Sequence, residues 1–180
     1  MLTKPTITGA RLILRPIETT DLDAYFALLQ DAESLRLTGT LARFSREQIA
    51  RWIATIAEAD DRIDLAIVLR DTNELIGEIV LNDFDDTHRC ANLRVGLRTA
   101  YTDRGYGSEA LRLMIAHAFE RVELHRLELE VYSFNPRALH VYTKLGFQQE
   151  GRRRDALFFE GAYHDSIGMS VLEDEYRGRK

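Results

Sequence analysis

The chain has 180 residues, 45% hydrophobic and 29% charged, with a net charge of −5 and a single cysteine. This length suits one domain over residues 1–180, and the acidic balance argues against a nucleic-acid partner, since phosphate binding needs a basic field. No apolar run approaches a membrane span, and residues 1–5 lack the apolar core of a secretory signal. Because Cys90 cannot form an internal disulfide, we expect a cytoplasmic protein without a membrane partner.

Two helices and four strands are predicted in the first half of the chain. Residues 11–15 form a strand that ends at Pro16, because proline lacks the N–H that a sheet requires. A helix capped within residues 19–21 follows, and Ser45 opens a second helix with the pattern of a capping box. Further strands are predicted over residues 65–69, 75–81 and 91–97, the first two as a hairpin.

The longest helix is predicted in the second half, over residues 105–121, where apolar side chains recur at helical spacing. Residues 127–131 alternate between apolar and polar, as a strand with one buried face does. Pro136 begins a shorter helix that Gly146 ends. Two strands, over residues 156–159 and 166–172, complete the order β-α-α-β-β-β-α-β-α-β-β, a mixed α/β fold.

Gly105 and Gly107 stand where a strand has ended and the longest helix begins. A helix N-terminus presents unpaired N–H groups, glycine lets an anion approach them, and Arg104 adds positive charge. Taken alone, the same residues could form only a tight turn. A P-loop is excluded because Ser108 replaces its lysine, and a dinucleotide fingerprint is excluded because Ala110 replaces its third glycine.

A second segment gives this loop a more specific meaning. Residues 135–147, NPRALHVYTKLGF, resemble the pattern Asn-x-x-Ala…Tyr-x-Lys-Leu-Gly-Phe of the GCN5-related N-acetyltransferase (GNAT) superfamily, and residues 104–111, RGYGSEAL, resemble its cofactor motif. The opening RLILRP and the ending DALF…GAYHD resemble the branch of ribosomal-protein N-terminal acetyltransferases and spermidine N-acetyltransferases. The resemblance therefore extends over nearly the whole chain.

This resemblance implies a single N-acetyltransferase domain with a mostly antiparallel central sheet, splayed between two parallel strands and flanked by helices. The splayed strands would be residues 91–97 and 127–133. Acetyl-CoA would be the co-substrate, with its pantetheine arm along residues 95–97 and its pyrophosphate on the amides of residues 103–108. The implied cofactor-binding residues are Val95, Gly96, Leu97, Thr102, Asp103, Arg104, Gly105, Tyr106, Gly107, Ser108, Asn135 and Lys144.

Tyr142 matches the superfamily's proposed general acid, which protonates the departing coenzyme A thiolate. A phenol with a pKa of about 10 can donate to a thiolate whose conjugate acid has a pKa of about 8.5. The structural alternative is an aromatic side chain on the buried face of its helix, with Ala138 and Leu145. Both interpretations stay open from the sequence.

Two positions depart from the family pattern. Thr102 stands where Gln or Arg is common, and Asn92 stands where a glutamate often serves as general base. Because an amide cannot accept the proton, a base must come from elsewhere, with Glu78, Asp83 and His88 as candidates. Each of these can equally be a solvated surface residue.

The missing glutamate also bears on the acceptor, because attack on a thioester needs a neutral amine. Deprotonation at pH 7 costs about 4.6 kcal/mol for a lysine-like amine and about 1 kcal/mol for a peptide α-amine. We therefore expect a protein or peptide N-terminal α-amine, or a small amino compound. Residues 35–44 carry two arginines and no carboxylate, which disfavours a polyamine. A polyamine acetyltransferase and a non-catalytic acyl-CoA-binding sensor are the alternatives.

The five histidines show no metal-ligand spacing, so we predict no metal. The branch resemblance raises the expectation of a homodimer.

Overall fold

The structure, a computed structural model, describes residues 4–179, so residues 1–3 of the segment searched for a secretory signal lie outside the described residues. Its strands are β1 (Ile7–Thr8), β2 (Leu12–Pro16), β3 (Ile63–Leu69), β4 (Leu75–Asp85), β5 (Cys90–Leu97), β6 (Arg126–Tyr132), β7 (Gln148–Phe159) and β8 (Ala162–Leu172). Its helices are α1 (Leu22–Leu28), α2 (Ala32–Leu37), α3 (Arg46–Ile56), α4 (Tyr106–Glu120), α5 (Pro136–Leu145) and α6 (Glu173–Arg177).

The strands form one sheet in the order β1-β2-β3-β4-β5-β6-β8-β7. Neighbouring strands are antiparallel except for β5 and β6, which are parallel. Parallel neighbours need a crossover connection, and α4 supplies it. The predicted mixed, mostly antiparallel fold is confirmed.

Helices cover both faces of the first part of the sheet. On one face, α4 buries the side chains of Ala110, Leu111, Met114, Ala118 and Phe119 in the larger core. On the other face, α1 and α3 pack Tyr25, Leu28, Ile49 and Ile53 against β3 and β4. Because β3 lies between these layers, every one of its residues is buried. All of them are apolar except Asp64, which accepts hydrogen bonds from Arg62.

The two parallel strands pair over only three positions. Cys90, Ala91 and Asn92 of β5 face Arg126, Leu127 and Glu128 of β6. Beyond Asn92, β5 continues to pair with β4 as far as Leu97, while β6 pairs with β8. The edges of β5 and β6 that face each other are thus left without strand pairing, and a cleft opens between them.

Four elements of the structure differ from the predicted ones. Helix α2 was not predicted, because its six residues carry no long periodic pattern and are held mainly by the Asp31 cap and by tertiary contacts. Strand β7 begins at Gln148, well before the predicted residue 156. Its first half is polar and exposed on both faces, so it exists through pairing with β8 and not through an apolar pattern. Short β1 and α6 were also missed.

Glu109 of α4 joins this helix to the start of β2. Its Oε1 accepts hydrogen bonds from the backbone N–H groups of Arg11 (2.7 Å) and Leu12 (3.3 Å), and its Oε2 accepts one from Arg11 Nε (2.9 Å). Burial raises the pKa of this carboxyl group, but the hydrogen bonds from Arg11 and Leu12 outweigh burial and leave it below its usual value. Arg11 Nη1 also donates to the carbonyl of Arg104 (2.9 Å), in the segment of residues 102–108 that contains Gly105 and Gly107 and is called the glycine loop below.

We therefore expect Glu109→Gln to lower the free energy of unfolding at pH 7 by about 1–3 kcal/mol. A carboxyl group whose pKa is lowered in the folded state stabilises it above the unfolded-state pKa of about 4.3, and this contribution is lost as pH falls through the folded-state pKa. Urea unfolding at pH 7 and at pH 3 measures the difference, with exposed Glu58→Gln as the control. An equal loss at both pH values would contradict this assignment.

Candidate active site

The cleft between β5 and β6 has two lobes. The loop lobe lies between the end of β5, the glycine loop and the start of α5, and is lined by Leu97, Thr99, Thr102, Asp103, Gly105, Gly107, Ser108, Leu111, Arg137 and Val141. The sheet lobe lies over the polar face of β4, β5, β6 and β8, and its lining includes Glu78, Asp83, Asn92, Arg94, Arg126, Glu128, Glu130 and Glu150. Eight residues line both lobes: Ser34, Leu37, Thr38, Val95, Gly96, Asn135, Ala138 and Tyr142.

The glycine loop has the backbone of an anion-binding site. Asp103 (φ 59°) and Gly105 (φ 79°) both adopt left-handed conformations, and Gly105 is the N-cap of α4. The first bond of the helix runs from the N–H of Glu109 to the carbonyl of Gly105 (3.1 Å). The amide groups before Glu109 therefore have no acceptor inside the helix, and successive N–H groups in such a turn form a concave nest.

Helix α2 covers the cleft and is anchored at both ends. Asp31 accepts hydrogen bonds from the N–H (2.8 Å) and Oγ1 (2.5 Å) of Thr99, just ahead of the glycine loop. At the other end, Asn135 Nδ2 donates to the carbonyl of Leu37 (3.4 Å), while Asn135 Oδ1 caps α5 through the N–H of Ala138 (3.1 Å). Ser34 and Thr38 thereby line both lobes, a position that sequence patterns do not reveal because α2 itself carries no clear signal.

Tyr142 stands where the two lobes meet. Tyr142 is 8% exposed, and its ring packs edge-on against the ring of Phe147 with centroids 5.8 Å apart. Within residues 4–179, the Tyr142 hydroxyl group has no hydrogen-bond partner. Burial raises the pKa of Tyr142 to about 12, so the phenol stays protonated at physiological pH. The side chain packs in the core, near Ala138 and Leu145 as the structural alternative predicted, and it also lines the cleft, while the general-acid role stays a prediction.

Most of the predicted cofactor-binding residues line the cleft. Val95, Gly96, Leu97, Thr102, Asp103, Gly105, Gly107, Ser108 and Asn135 lie together around the loop lobe. The side chains of Arg104, Tyr106 and Lys144 do not line either lobe. The Arg104 guanidinium lies over the ring of Tyr101, the ring of Tyr106 lies under Arg11, and Lys144 is exposed near the end of α5.

Arg137 was not predicted, although it lies inside the segment that carries the resemblance. Its Nη1 is 3.0 Å from Asp103 Oδ2, so an ion pair joins the start of α5 to the glycine loop across the loop lobe. Both side chains are well exposed to solvent, and such a pair adds little to stability.

The candidates for a general base occupy different environments. Asn92 donates a hydrogen bond to Asn82 Oδ1 (2.9 Å), as a structural amide. His88 lies on the exposed β4–β5 turn, bonded to Asp85, and does not line the cleft. Asp83 lines the sheet lobe but is exposed and accepts a bond from Asn82. Glu78 lines the same lobe, is half-buried, and accepts a hydrogen bond from the hydroxyl group of Tyr25.

Arginines neutralise most of the other carboxylates of the sheet lobe. Arg126 bridges Glu128 (3.1 Å) and Glu150 (2.5 Å), and Arg153 lies 2.5 Å from Glu130. Hydrogen bonds from Arg126, and then from Ser170, lower the pKa of Glu150 to about 2. Among the residues that the structure describes, Glu78, Asp83 and Arg94 line this lobe without an ion pair.

A sheet that opens between two parallel strands, beside a helix start prepared for an anion, is the architecture of an acyl-coenzyme A-dependent transferase. Residues 11–148 match the family model described as an acetyltransferase (GNAT) domain. The chain therefore belongs to the GNAT family of acetyltransferases and is an acetyl-CoA-dependent N-acetyltransferase, as predicted.

Individual relatives agree with this assignment. An uncharacterised N-acetyltransferase of Bacillus subtilis, YoaA, is 30% identical over 94% of this chain and 97% of its own length. A putative ribosomal N-acetyltransferase of the same organism, YdaF, is 32% identical over 59% of this chain and 58% of its own. The crystal structure of spermidine N-acetyltransferase from Vibrio cholerae, in complex with CoA and spermine, has the same fold with a TM-score of 0.86, at 22% identity and covering 94% and 99% of the two chains.

Within residues 4–179, no group of three or more histidine, cysteine, aspartate or glutamate side chains is placed to hold a metal ion. No helix in that part of the chain combines the length and apolar character needed to cross a membrane.

Proposed function

We propose that this enzyme transfers the acetyl group in a ternary complex, by direct attack of the amine on the thioester, with Tyr142 as the general acid. The observation that carries the proposal is the position of Tyr142, whose hydroxyl group is protonated, unpaired and placed between the two lobes. A cofactor thioester entering from the loop lobe and an amine entering from the sheet lobe would meet beside it.

The loop lobe suits the cofactor. Its glycine loop offers free amides to the pyrophosphate, and the unpaired edge of β5 at Val95, Gly96 and Leu97 offers backbone groups to the pantetheine arm. Asn135 would lie beside that arm, and Arg137 would add positive charge. When bound, acetyl-CoA supplies an activated acyl group, and the chain holds it, orients it and protonates the leaving sulfur. Residues 11–148 carry the family match, and we extend the single N-acetyltransferase domain to the whole chain.

The Asp103–Arg137 ion pair should affect the affinity for coenzyme A. A carboxylate in the loop lobe repels the phosphates and holds Arg137 away from them, so Asp103→Asn should strengthen coenzyme A binding about two- to fivefold at low salt. Asparagine also tolerates the left-handed backbone of this position. Isothermal titration with coenzyme A checks the effect, and Arg137→Ala should change the affinity in the opposite direction. Weaker binding by Asp103→Asn would mean that the carboxylate shapes the loop.

For the acceptor we propose a peptide or protein N-terminal α-amine, or a small amino compound. An α-amine is deprotonated near neutral pH at low cost, and the unpaired Arg94 can bind a carbonyl or carboxylate group of the acceptor. Residues 35–44 contribute no carboxylate, but the strands contribute several to the sheet lobe, so the composition of residues 35–44 does not by itself exclude a polyamine.

A polyamine is the second candidate, and those strand carboxylates favour it. Five of them line the sheet lobe. Three are already paired with arginines, however, which leaves Glu78 and Asp83 against the unpaired Arg94. A polyamine carries several cations and needs more unpaired carboxylates than this lobe offers, so we rank the α-amine first.

Thiol release from acetyl-CoA across a panel of peptides, amino compounds and spermidine tests both candidates. We expect kcat/KM for the best peptide or amino compound to exceed that for spermidine by at least about tenfold, with intersecting initial-velocity lines. A preference for spermidine would reverse the ranking. Parallel lines would contradict direct attack in a ternary complex. Sedimentation equilibrium of the same preparation tests the expected homodimer.

A further inference from the structure

Glu78 lines the sheet lobe, on the strand next to β5. It pairs with Gly96 in the β4–β5 register, and Gly96 lines both lobes. A Cβ atom placed on Gly96 would lie 4.0 Å from Glu78 Cγ and 4.0 Å from Ser34 Oγ. The Glu78 side chain therefore projects beside the point where the lobe of the amine meets the lobe of the thioester.

One oxygen of this carboxylate is held and the other is free. The hydroxyl group of Tyr25 donates to Glu78 Oε2, and the Tyr25 ring is fixed by stacking on Trp52 with centroids 5.2 Å apart. Within residues 4–179, Glu78 Oε1 has no hydrogen-bond partner. A carboxylate anchored through one oxygen with the other free has the geometry of a general base.

We propose that Glu78 is the general base of the acetyl transfer, in place of the residue that Asn92 lacks, and that Tyr25 positions it. This inference rests on the proposed transfer at Tyr142. No other carboxylate that lines the sheet lobe in the described part of the chain is both half-buried and without an ion pair, because Asp83 is exposed and the others pair with arginines.

The charges around Glu78 suit this role. Burial raises its pKa above the usual range, and nearby Asp64 on β3 raises it further. The Tyr25 hydroxyl group of α1, Arg94 of β5 and Arg62 ahead of β3 act in the opposite direction. A carboxylate with a raised pKa accepts a proton more readily at neutral pH than a solvated one does.

The proton balance uses both side chains. The ammonium group of the acceptor gives one proton to Glu78, directly or through one water, and the neutral nitrogen bonds to the thioester carbonyl carbon. The carbon–sulfur bond then breaks, and Tyr142 gives its proton to the sulfur. The second proton of the nitrogen restores the Tyr142 hydroxyl group. Glu78 releases its proton to solvent, so the products are the amide, the free thiol and one proton.

Glu78→Gln keeps the shape of the side chain and the Tyr25 contact but removes the base. We expect kcat/KM for an α-amine acceptor to fall about 100-fold at pH 7. The loss should shrink to less than about tenfold at pH 9, where the amine deprotonates unaided. Glu74→Gln is the matched control, because Glu74 accepts a bond from Tyr101 in the same way but outside the cleft. A loss below threefold at pH 7, or an equal loss at both pH values, would overturn the proposal.

Tyr25→Phe separates positioning from packing. Without the donated hydrogen bond the Glu78 carboxylate is less stabilised, so the acidic limb of the pH–rate profile should move to higher pH. A variant that lowers kcat without moving that limb would show that Tyr25 only packs against Trp52, and would overturn its positioning role.

A measurement without substrate provides a readout besides activity. A carboxyl group with a raised pKa in the folded state makes stability fall as pH rises from the unfolded-state pKa, about 4.3, through the folded-state pKa. Glu78→Gln removes that fall. The Tm of the variant minus the Tm of the wild type should therefore increase between pH 4 and pH 8. A pH-independent difference would contradict the raised pKa and overturn the proposal.

Failure of the proposed function and failure of the base assignment give different results. If the wild type transfers acetyl to no amine, the proposed function and the base assignment fall together. If the wild type is active, Tyr142→Phe is inactive and Glu78→Gln behaves like Glu74→Gln, only the base assignment falls.

Discussion

Replacement of Tyr142 by phenylalanine is expected to lower kcat about 100- to 1,000-fold, with the KM for acetyl-CoA changed by less than about threefold. The ring should keep its edge-on contact with Phe147, so the substitution removes only the hydroxyl group. Without that donor the coenzyme A thiolate must depart unprotonated. Because the hydroxyl group has no hydrogen-bond partner within residues 4–179, we expect no loss of thermal stability.

The pH dependence provides a second check on the same residue. A general acid acts while it is protonated and is lost as pH rises through its pKa. With a Tyr142 pKa of about 12, the wild type should show no fall in rate from this group between pH 6 and pH 10. Tyr163→Phe, which alters an exposed tyrosine on β8, is the control. Retention of a third or more of kcat by Tyr142→Phe would rule out the acid role.

Gly107→Val is expected to weaken coenzyme A binding by at least about 100-fold. Gly107 lines the loop lobe in the first turn of α4, and a Cβ atom there would lie 3.3 Å from Leu97 Cδ1. A valine side chain must therefore displace Leu97 or fill the space through which the pyrophosphate approaches the amides. Either result removes the close contact between backbone and anion.

A thermal-shift titration measures this loss without any assay of turnover. Binding to the native state raises Tm with ligand concentration, so 1 mM coenzyme A should stabilise the wild type and leave Gly107→Val almost unchanged. Gly151→Val is the control, because a Cβ atom at Gly151 of β7 would meet nothing within 4 Å. An unchanged shift in Gly107→Val would place the pyrophosphate elsewhere.

Local patterns were enough to predict the parts of the site that lie within single segments. The glycine loop and α4 follow from residues 104–121, where glycine conformation and apolar spacing agree, and the Tyr142 helix follows from Pro136 and Gly146. The separation of β5 and β6 was predicted only from the family resemblance, because no local residue pattern indicates where the pairing between two strands stops.

The rest depends on contacts between distant segments. Tyr25 and Glu78 are 53 positions apart, and Asp31 and Thr99 are 68 apart, so neither hydrogen bond has a sequence signal. From the sequence alone, Glu78 could be either a general base or a solvated surface residue. Its half-buried position between α1 and β5 becomes visible only once the helices have packed on the sheet. Strand β7, polar along its first half, likewise depends on its partner β8.

A crystal structure with coenzyme A bound tests the central claim most directly. We expect the pyrophosphate on the amides of residues 103–108 and the thiol sulfur within about 4 Å of Tyr142 Oη, close enough for proton donation. A pyrophosphate outside the loop lobe, or a sulfur atom remote from Tyr142, would contradict both the assignment of the cleft and the role of its tyrosine.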